Sequence, residues 1–151
     1  MHVGKELYVS DKGDERIDMW VWADSVVKWC DVTVTDPSRE SVMHAAAKTA
    51  GAAVRLAESK KRSKYKDLAV EAGADLVPLA FETTGHRGES LDNFLREMEA
   101  GSSEGPSRTS LLNQLSVTMQ KFNVAMVLQA TQKALGGKLC KRRFTSRPWW
   151  L

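Results

Sequence analysis

Two aspartates and two lysines have the residue types and spacing needed for metal-assisted phosphate chemistry. Asp18 and Asp31 each interrupt a run of strand-forming residues, and Lys61 and Lys64 follow in a predicted helix. Paired carboxylates can hold one or two Mg²⁺ ions, which polarise a water molecule and neutralise charge on a phosphate. A nearby lysine can orient that water or stabilise a developing oxyanion. The combination is typical of phosphodiester hydrolysis.

Both aspartates lie in a predicted β-hairpin that spans residues 16–34. If residues 24 and 25 form a two-residue loop, residues whose numbers sum to 49 face each other, which places Asp18 opposite Asp31. Facing like charges destabilise a sheet by ~0.2 to 1 kcal/mol, and a divalent cation would compensate them. Strict alternation predicts that the aspartates share a face with Trp20, Trp22, Val27 and Trp29, and that the opposite face carries Ile17, Met19, Val21, Cys30 and Val32.

Ordinary structural roles can explain the same residues. Aspartates are common near strand ends on a solvated face, and a bulge would shift the register by one residue. The basic run Lys60–Lys66 is typical of a solvated helical face, or of a phosphate-binding patch without a catalytic role. The apolar spacing nevertheless continues from Ala57 through Lys61 and Lys64 to Leu68, so one or both lysines are predicted to point toward the sheet.

The remaining pattern predicts an α/β fold with a mixed central sheet of about four strands flanked by helices. Additional strands are expected at residues 6–10 and 76–82, where Pro78 favours an edge strand or a bulge. Helices are expected between residues 36 and 72, over 89–100, and in a long C-terminal helix. The predicted division is a core at 1–100, a linker at 101–108, the C-terminal helix at 109–136 and a basic, disordered tail at 137–151.

The first helical stretch should begin at Asp36 as N-cap, with Pro37 at the first helical position. An unbroken helix to residue 72 would be ~55 Å long at 1.5 Å per residue, which is awkward for a chain of this size. We therefore expect a break near Thr49 to Gly51 or near Ser63. Gly73 should follow the end of this stretch as a C′ glycine.

Composition limits the class of protein. A chain of 151 residues with 42% hydrophobic residues can form one domain with a real core plus appendages. A net charge of +3 permits a nucleic-acid partner without requiring one. The two cysteines are too far apart for a disulfide framework or a zinc site, which favours a reducing compartment. There is no run of ~20 apolar residues and no secretory signal, so we expect an intracellular protein.

At these motifs the sequence resembles a known family, the restriction-like endonuclease domain at the C-terminal end of some non-LTR retrotransposon proteins. This domain belongs to the PD-(D/E)XK nuclease superfamily, whose pattern here is a basic residue and Pro-Asp, a second acid further along the chain, and a downstream KxxKY. The resemblance spans roughly Leu7 to Ala100. Its matching segments are Arg16-Ile17-Asp18, Asp31-Val32-Thr33-Val34 and Lys61-Arg62-Ser63-Lys64-Tyr65, followed by Glu82-Thr83-Thr84-Gly85.

The resemblance implies a Mg²⁺- or Mn²⁺-dependent DNA endonuclease with a restriction-endonuclease-like core. Asp18 and Asp31 would bind the metal, with the Val32 carbonyl as a further ligand, and Lys61 or Lys64 would be the catalytic lysine. Glu82 would be an acid that supports the site without touching the metal. The residues expected to contact nucleic acid are Lys60, Arg62, Lys66, Arg142 and Arg143.

The resemblance also implies partners and a compartment. DNA, or an RNA–DNA intermediate, would be the substrate, a reverse-transcriptase polypeptide a further partner, and the nucleus the location in a eukaryote. Ile17 replaces the family's proline, and the usual preceding helix, often with a contributing glutamate, is not recognisable. We therefore expect a fragment, a stand-alone derivative or a decayed copy. The alternatives are a catalytically inactive nucleic-acid-binding module and a protein-interaction domain that acts through the C-terminal helix.

Overall fold

The computed structural model describes residues 2–9, 15–23, 25–101 and 105–134. The chain divides into two compact units, Met1–Gln114 and Leu115–Leu151. The elements in order are β1 (His2–Tyr8), β2 (Arg16–Ala23), β3 (Val26–Thr35), α1 (Glu40–Lys48), α2 (Ala52–Glu71), β4 (Ala74–Glu82), α3 (Glu89–Ala100) and α4 (Arg108–Ala134).

The strands form one four-stranded sheet in the order β1-β2-β3-β4. The first three strands are antiparallel neighbours, and β4 runs parallel to β3. Parallel strands need a crossover, which α1 and α2 provide here. The predicted α/β fold with a mixed sheet and a long C-terminal helix is confirmed. Pro78 lies in β4, which is an edge strand of this sheet. One side of an edge strand has no hydrogen-bonding neighbour, so the N–H that proline lacks is not required there.

The hairpin between β2 and β3 has the predicted register. Trp20 pairs with Trp29 and Trp22 with Val27, so paired numbers sum to 49. Ser25 has a φ of 67°, the left-handed conformation that tight hairpin loops require. Asp24 lies outside the described residues. The regular ladder with β3 ends at Met19, one residue before Asp18.

Side-chain alternation shifts by one residue at the end of the hairpin that carries Asp18. The ladder between β1 and β2 is regular except for a missing pair at Glu6 and Asp18, and Glu6 has a φ of 47°. Just beyond this point, Ile17 joins Trp29 and Tyr65 in one buried cluster. The prediction that Ile17 and Trp29 lie on opposite faces is therefore wrong, because a local interruption of pairing shifts which side chains point to a given face.

Helix α2 covers one face of the sheet, and its packing there positions the candidate site. It packs on β3 and β4, and its residues Tyr65 and Ala69, one turn apart, are both buried against Ile17 and Trp29. Each large apolar side chain buried in this way stabilises the fold by about 1.5–3 kcal/mol. This packing fixes how α2 is rotated about its axis. It therefore decides which side chains of the basic run reach the sheet.

The predicted helix start at Asp36 is wrong. Helix α1 begins at Glu40, with Arg39 as its cap. The Asp36 Oδ1 atom instead accepts hydrogen bonds from Ser38 N at 2.9 Å and Ser38 Oγ at 2.7 Å. These bonds lower the pKa of Asp36, the backbone bond most strongly. An aspartate that bonds the chain two residues ahead forms a local turn, which delays the helix.

The predicted helix break near residues 49–51 is confirmed. Helix α1 ends at Lys48 and α2 begins at Ala52. Gly51 between them has a φ of 74°, a left-handed conformation that interrupts the helical path. Gly73 after α2 also has a positive φ, as predicted for a C′ glycine.

Asp92 of α3 links the loop before α3 to the start of α4. Its Oδ1 atom accepts hydrogen bonds from Arg87 Nε at 3.3 Å and from an Arg108 guanidinium nitrogen at 3.2 Å. Partial burial raises the pKa of Asp92, but the hydrogen bonds and charges of Arg108 and Arg87 outweigh burial and lower it below 3.8.

Among the described helices, none is both long and apolar enough to cross a bilayer.

Replacing Gly4 with alanine should destabilise the protein by about 1–3 kcal/mol, because the new Cβ would collide with the Trp20 indole. The matched control is Gly101→Ala, whose Cβ would lie 3.5 Å from its nearest neighbour, the Glu97 carbonyl oxygen. Urea unfolding of both variants measures the difference. Equal midpoints for the two variants would contradict the close approach of β1 to Trp20.

Asp92→Asn should reduce stability by about 1 kcal/mol at pH 7, because both guanidinium groups lose a charged acceptor. The pKa of Asp92 is depressed in the folded state, so its contribution is present above the ordinary value of 3.8 and is lost as the pH falls through the folded value. Thermal unfolding of wild type and variant should converge as the pH falls below 3.8. A difference in thermal stability between wild type and variant that stayed constant as the pH fell would contradict the role of the Asp92 carboxylate as the charged partner of the two arginines.

Candidate functional site

A pocket of about 520 Å³ lies at the end of the hairpin where the strand pairing is interrupted. Strands β1, β2 and β3 and helix α2 contribute its lining, which consists of Tyr8, Arg16, Asp18, Asp31, Val32, Lys61 and Tyr65. The structure thus brings together both predicted aspartates, the predicted backbone ligand and one of the two predicted lysines. The individual contacts show what this grouping can do.

Asp31 is a buried carboxylate whose charge is balanced by Lys61. The Asp31 residue is only 2% exposed, and the Lys61 Nζ atom lies 2.6 Å from its Oδ2. This contact is close but poorly directed, and Oδ2 has no hydrogen-bond partner among the described residues. Another ligand could therefore bind this oxygen only by displacing Lys61.

Asp18 is held beside β3 by its own side chain. Its Oδ2 atom accepts a hydrogen bond of 2.8 Å from Val32 N. The regular ladder has already ended at Met19, so the carboxylate satisfies a backbone donor that the neighbouring strand no longer reaches. This bond places Asp18 next to the residue that follows Asp31.

Tyr65 anchors α2 to β2 and separates the roles of the two lysines. Its hydroxyl donates a hydrogen bond of 3.1 Å to the Arg16 carbonyl and accepts one of 2.9 Å from Lys64 Nζ. The bond from Lys64 to Tyr65 is the main cause of a raised Lys64 pKa, which keeps this lysine protonated. Lys64 does not line the pocket, whereas Lys61, one turn earlier, contacts Asp31.

The other predicted nucleic-acid contacts lie elsewhere on α2 or outside the described residues. Lys60 and Lys66 are exposed. Arg62 donates a hydrogen bond of 2.7 Å to Ser90 Oγ, and with Lys66 it lines a separate cleft of about 1140 Å³ between α2, α3 and β4. Arg142 and Arg143 fall outside the described residues.

Glu82 is separated from the pocket. It pairs with Thr35 in the β3–β4 register, four residues beyond Asp31, and its Oε2 accepts a hydrogen bond from Thr84 Oγ1 at 3.1 Å. The Oε1 atom is buried and has no hydrogen-bond partner among the described residues. The structure therefore does not bring Glu82 together with the two aspartates.

Sequence reasoning missed the contribution of Tyr8 and the anchoring role of Tyr65. Tyr65 carried a signal, since it is an aromatic residue within a basic run and at a position of the apolar spacing. Tyr8 carried none, because its place beside the pocket depends on the interrupted pairing at Glu6 and Asp18. The position of a residue along a predicted strand does not predict where the strand pairing is interrupted.

The donor set fits Mg²⁺ or Mn²⁺. Mg²⁺ is usually held by one or two carboxylates and keeps several waters, and Asp18, Asp31 and Val32 line one pocket, so two carboxylates and a backbone carbonyl are the donors that would hold it. The buried Oδ2 of Asp31 without a hydrogen bond supports this fit. No group of three or more His, Cys, Asp or Glu side chains suited to a metal occurs in the described ranges. Burial raises the pKa of the adjacent Cys30 to about 12, which keeps its thiol protonated and unsuited to binding a metal.

Comparison of the chain with protein-family models, with curated proteins and with solved structures finds no match in any of the three. The resemblance to restriction-like endonucleases therefore rests on the motif residues and stays a prediction.

Lys61→Met should lower the free energy of unfolding by about 1–3 kcal/mol, because it leaves the buried Asp31 carboxylate without a counter-ion. The loss is below that of a fully buried pair because the Lys61 side chain is 28% exposed. Lys64→Met is the matched control, since it removes the same charge from the next turn of α2, where the Lys64 ammonium donates to the Tyr65 hydroxyl. Urea unfolding should show the larger loss for Lys61→Met, and equal losses would mean that the ion pair does not stabilise the fold.

Proposed function

We propose that the chain is a metal-dependent DNA endonuclease with a restriction-endonuclease-like core. The observation that carries the proposal is the buried Asp31 carboxylate, whose Oδ2 faces Lys61 at 2.6 Å without a directed hydrogen bond. Asp18, fixed by Val32 N, lines the same pocket. Two carboxylates and a lysine in one open pocket are suited to hydrolysis of a phosphodiester bond.

In this mechanism, the side chains of Asp18 and Asp31 and the Val32 carbonyl would hold the metal. A bound Mg²⁺ ion would supply Lewis-acid charge stabilisation and lower the pKa of water. Lys61, once it is released from Asp31, stabilises the negative charge that develops on the scissile phosphate. An incoming water oxygen forms a bond to phosphorus and gives up a proton to solvent as the bond between phosphorus and the 3′ oxygen breaks. The leaving 3′ oxygen takes up a proton from solvent, so the products are a 3′-hydroxyl and a 5′-phosphate.

The remaining basic residues have positioning roles in the proposal. Lys64 stays on Tyr65, so it helps to hold α2 in place rather than reaching the phosphate. Lys60 and Lys66 are exposed on the same helix and are suited to contacts with backbone phosphates, which add affinity without sequence specificity. DNA is therefore the proposed partner.

One observation favours a catalytically inactive nucleic-acid-binding module instead. The Lys61 ammonium already neutralises Asp31, so the fold has no need of a metal at this position. Among the described residues, no third acid joins the two aspartates in the pocket. The inactive module predicts DNA binding that persists in EDTA, with no nicking in the presence of Mg²⁺ or Mn²⁺.

Asp31→Asn and Asp18→Asn should each abolish metal binding and reduce plasmid nicking by at least about 100-fold, because each removes a charged metal ligand. Lys61→Met should retain metal binding and lose nicking to a similar degree. The control is Asp67→Asn, an exposed carboxylate on α2, which should nick within about twofold of wild type.

Two measurements on the same samples make the test. Calorimetric titration with Mn²⁺ or Mg²⁺ reports metal binding, and a supercoiled-plasmid assay reports nicking. Circular dichroism confirms that each variant is folded. Full nicking by Asp31→Asn would overturn the assignment of the site, and absence of both metal binding and nicking in wild type would favour the inactive module.

A further inference from the structure

Tyr8 presents an exposed aromatic ring at the candidate site. The residue is 63% exposed, and it lines the same pocket as Asp18, Asp31 and Lys61. The pocket's other aromatic residue, Tyr65, is 2% exposed, and its hydroxyl is engaged with Arg16 and Lys64. Among the residues that line this pocket, Tyr8 is therefore the aromatic side chain free to contact a ligand.

The backbone around Tyr8 is firmly held. Tyr8 pairs with Arg16 in the antiparallel ladder, and Val9 N donates a hydrogen bond of 2.9 Å to the Glu15 carbonyl. The preceding Leu7 packs against the buried cluster that contains Trp29 and Tyr65. The exposed ring is therefore carried on a held backbone, which lowers the entropy cost of stacking on a ligand.

The residue paired with Tyr8 across the ladder carries a cationic side chain. Arg16 also lines the pocket, its side chain is 47% exposed, and its guanidinium lies 3.5 Å from Glu6. An ion pair this exposed is weak, so the guanidinium can be shared with a phosphate. A stacking surface next to a cation matches the two parts of a nucleotide, the base and its phosphate.

We infer that Tyr8 stacks on an unpaired nucleobase next to the scissile phosphate, so the preferred substrate is single-stranded or locally unpaired DNA. In a duplex both faces of each base are covered by neighbouring base pairs, so the ring can gain a stacking contact only from a base that has left the stack. The inference rests on the proposed function for its substrate class, but it concerns binding and can be tested without cleavage.

The experiment measures binding in EDTA, where no cleavage occurs, by fluorescence anisotropy at fixed salt. The probes are a labelled single-stranded thymidine oligonucleotide, the same strand with a central run of abasic sites, and a matched duplex. The proteins are wild type, Tyr8→Ala and Tyr8→Phe. The phenylalanine variant keeps the stacking ring and removes only the hydroxyl, and circular dichroism confirms folding.

Tyr8→Ala should weaken binding of the single strand by about 5- to 150-fold, the range for loss of one stacked base. Tyr8→Phe should bind it within about twofold of wild type. Wild type should bind the abasic strand nearly as weakly as Tyr8→Ala binds the intact strand, and duplex binding should change little in either variant. This pattern would establish stacking by the ring on an unpaired base.

Other outcomes overturn the inference. These are no measurable binding of the single strand by wild type, equal losses for Tyr8→Ala and Tyr8→Phe, and equal losses on single strand and duplex. The result is independent of the nuclease assignment. Binding that depends on Tyr8, with no nicking, would uphold the stacking site while the proposed activity fails. Nicking together with binding that does not depend on Tyr8 would uphold the activity while the stacking site fails.

Discussion

The charge on Asp31 is the constraint on which the arrangement of the site depends. A carboxylate that is 2% exposed within a strand of a sheet needs a nearby positive charge, because burying an unpaired charge is costly. Lys61 supplies that compensation from α2, and it can do so only if α2 has one particular rotation over the sheet. Tyr65 and Ala69, buried against Ile17 and Trp29, fix this rotation. Ordinary apolar packing thus sets the geometry of the charged pair.

Regular strand pairing is interrupted at the end of the hairpin where Asp18 lies. A strand that continued in register would bond Val32 N through its backbone, and the Asp18 side chain would have no structural task there. Because the ladder stops at Met19, the carboxylate takes the backbone's place at 2.8 Å. The positive φ of Glu6, opposite the interruption, shows that β1 adapts to the same irregularity. Local rules of strand structure are broken here and nowhere else along the described β1–β2 ladder, which is characteristic of functional sites.

The sequence predicted the parts of the site that depend on local periodicity. A two-residue loop and alternating apolar residues are enough to set the register, so the proximity of the two aspartates was predictable. It did not predict that Ile17 would join Trp29, because an interrupted ladder leaves no mark on composition. Asp36 was misassigned because the same carboxylate chemistry that caps a helix can also form a turn two residues ahead. The Asp36 error arises because two local structures can use one side chain equally well.

The choice between Lys61 and Lys64 shows why tertiary structure decides the chemistry. The two residues are three positions apart, so on a helix they point about 60° from each other, and the apolar spacing accommodates either. Only the packing of Tyr65 distinguishes the roles of the two lysines, because Lys64 donates a hydrogen bond to the Tyr65 hydroxyl and Lys61 contacts Asp31. Lys61 then has one role in the free protein, as counter-ion, and another in the proposed mechanism, as a charge for the phosphate. A metal that entered the site would take over the first role and release Lys61 for the second. The ion pair would therefore lower metal affinity by the energy needed to separate it, while keeping the empty pocket stable.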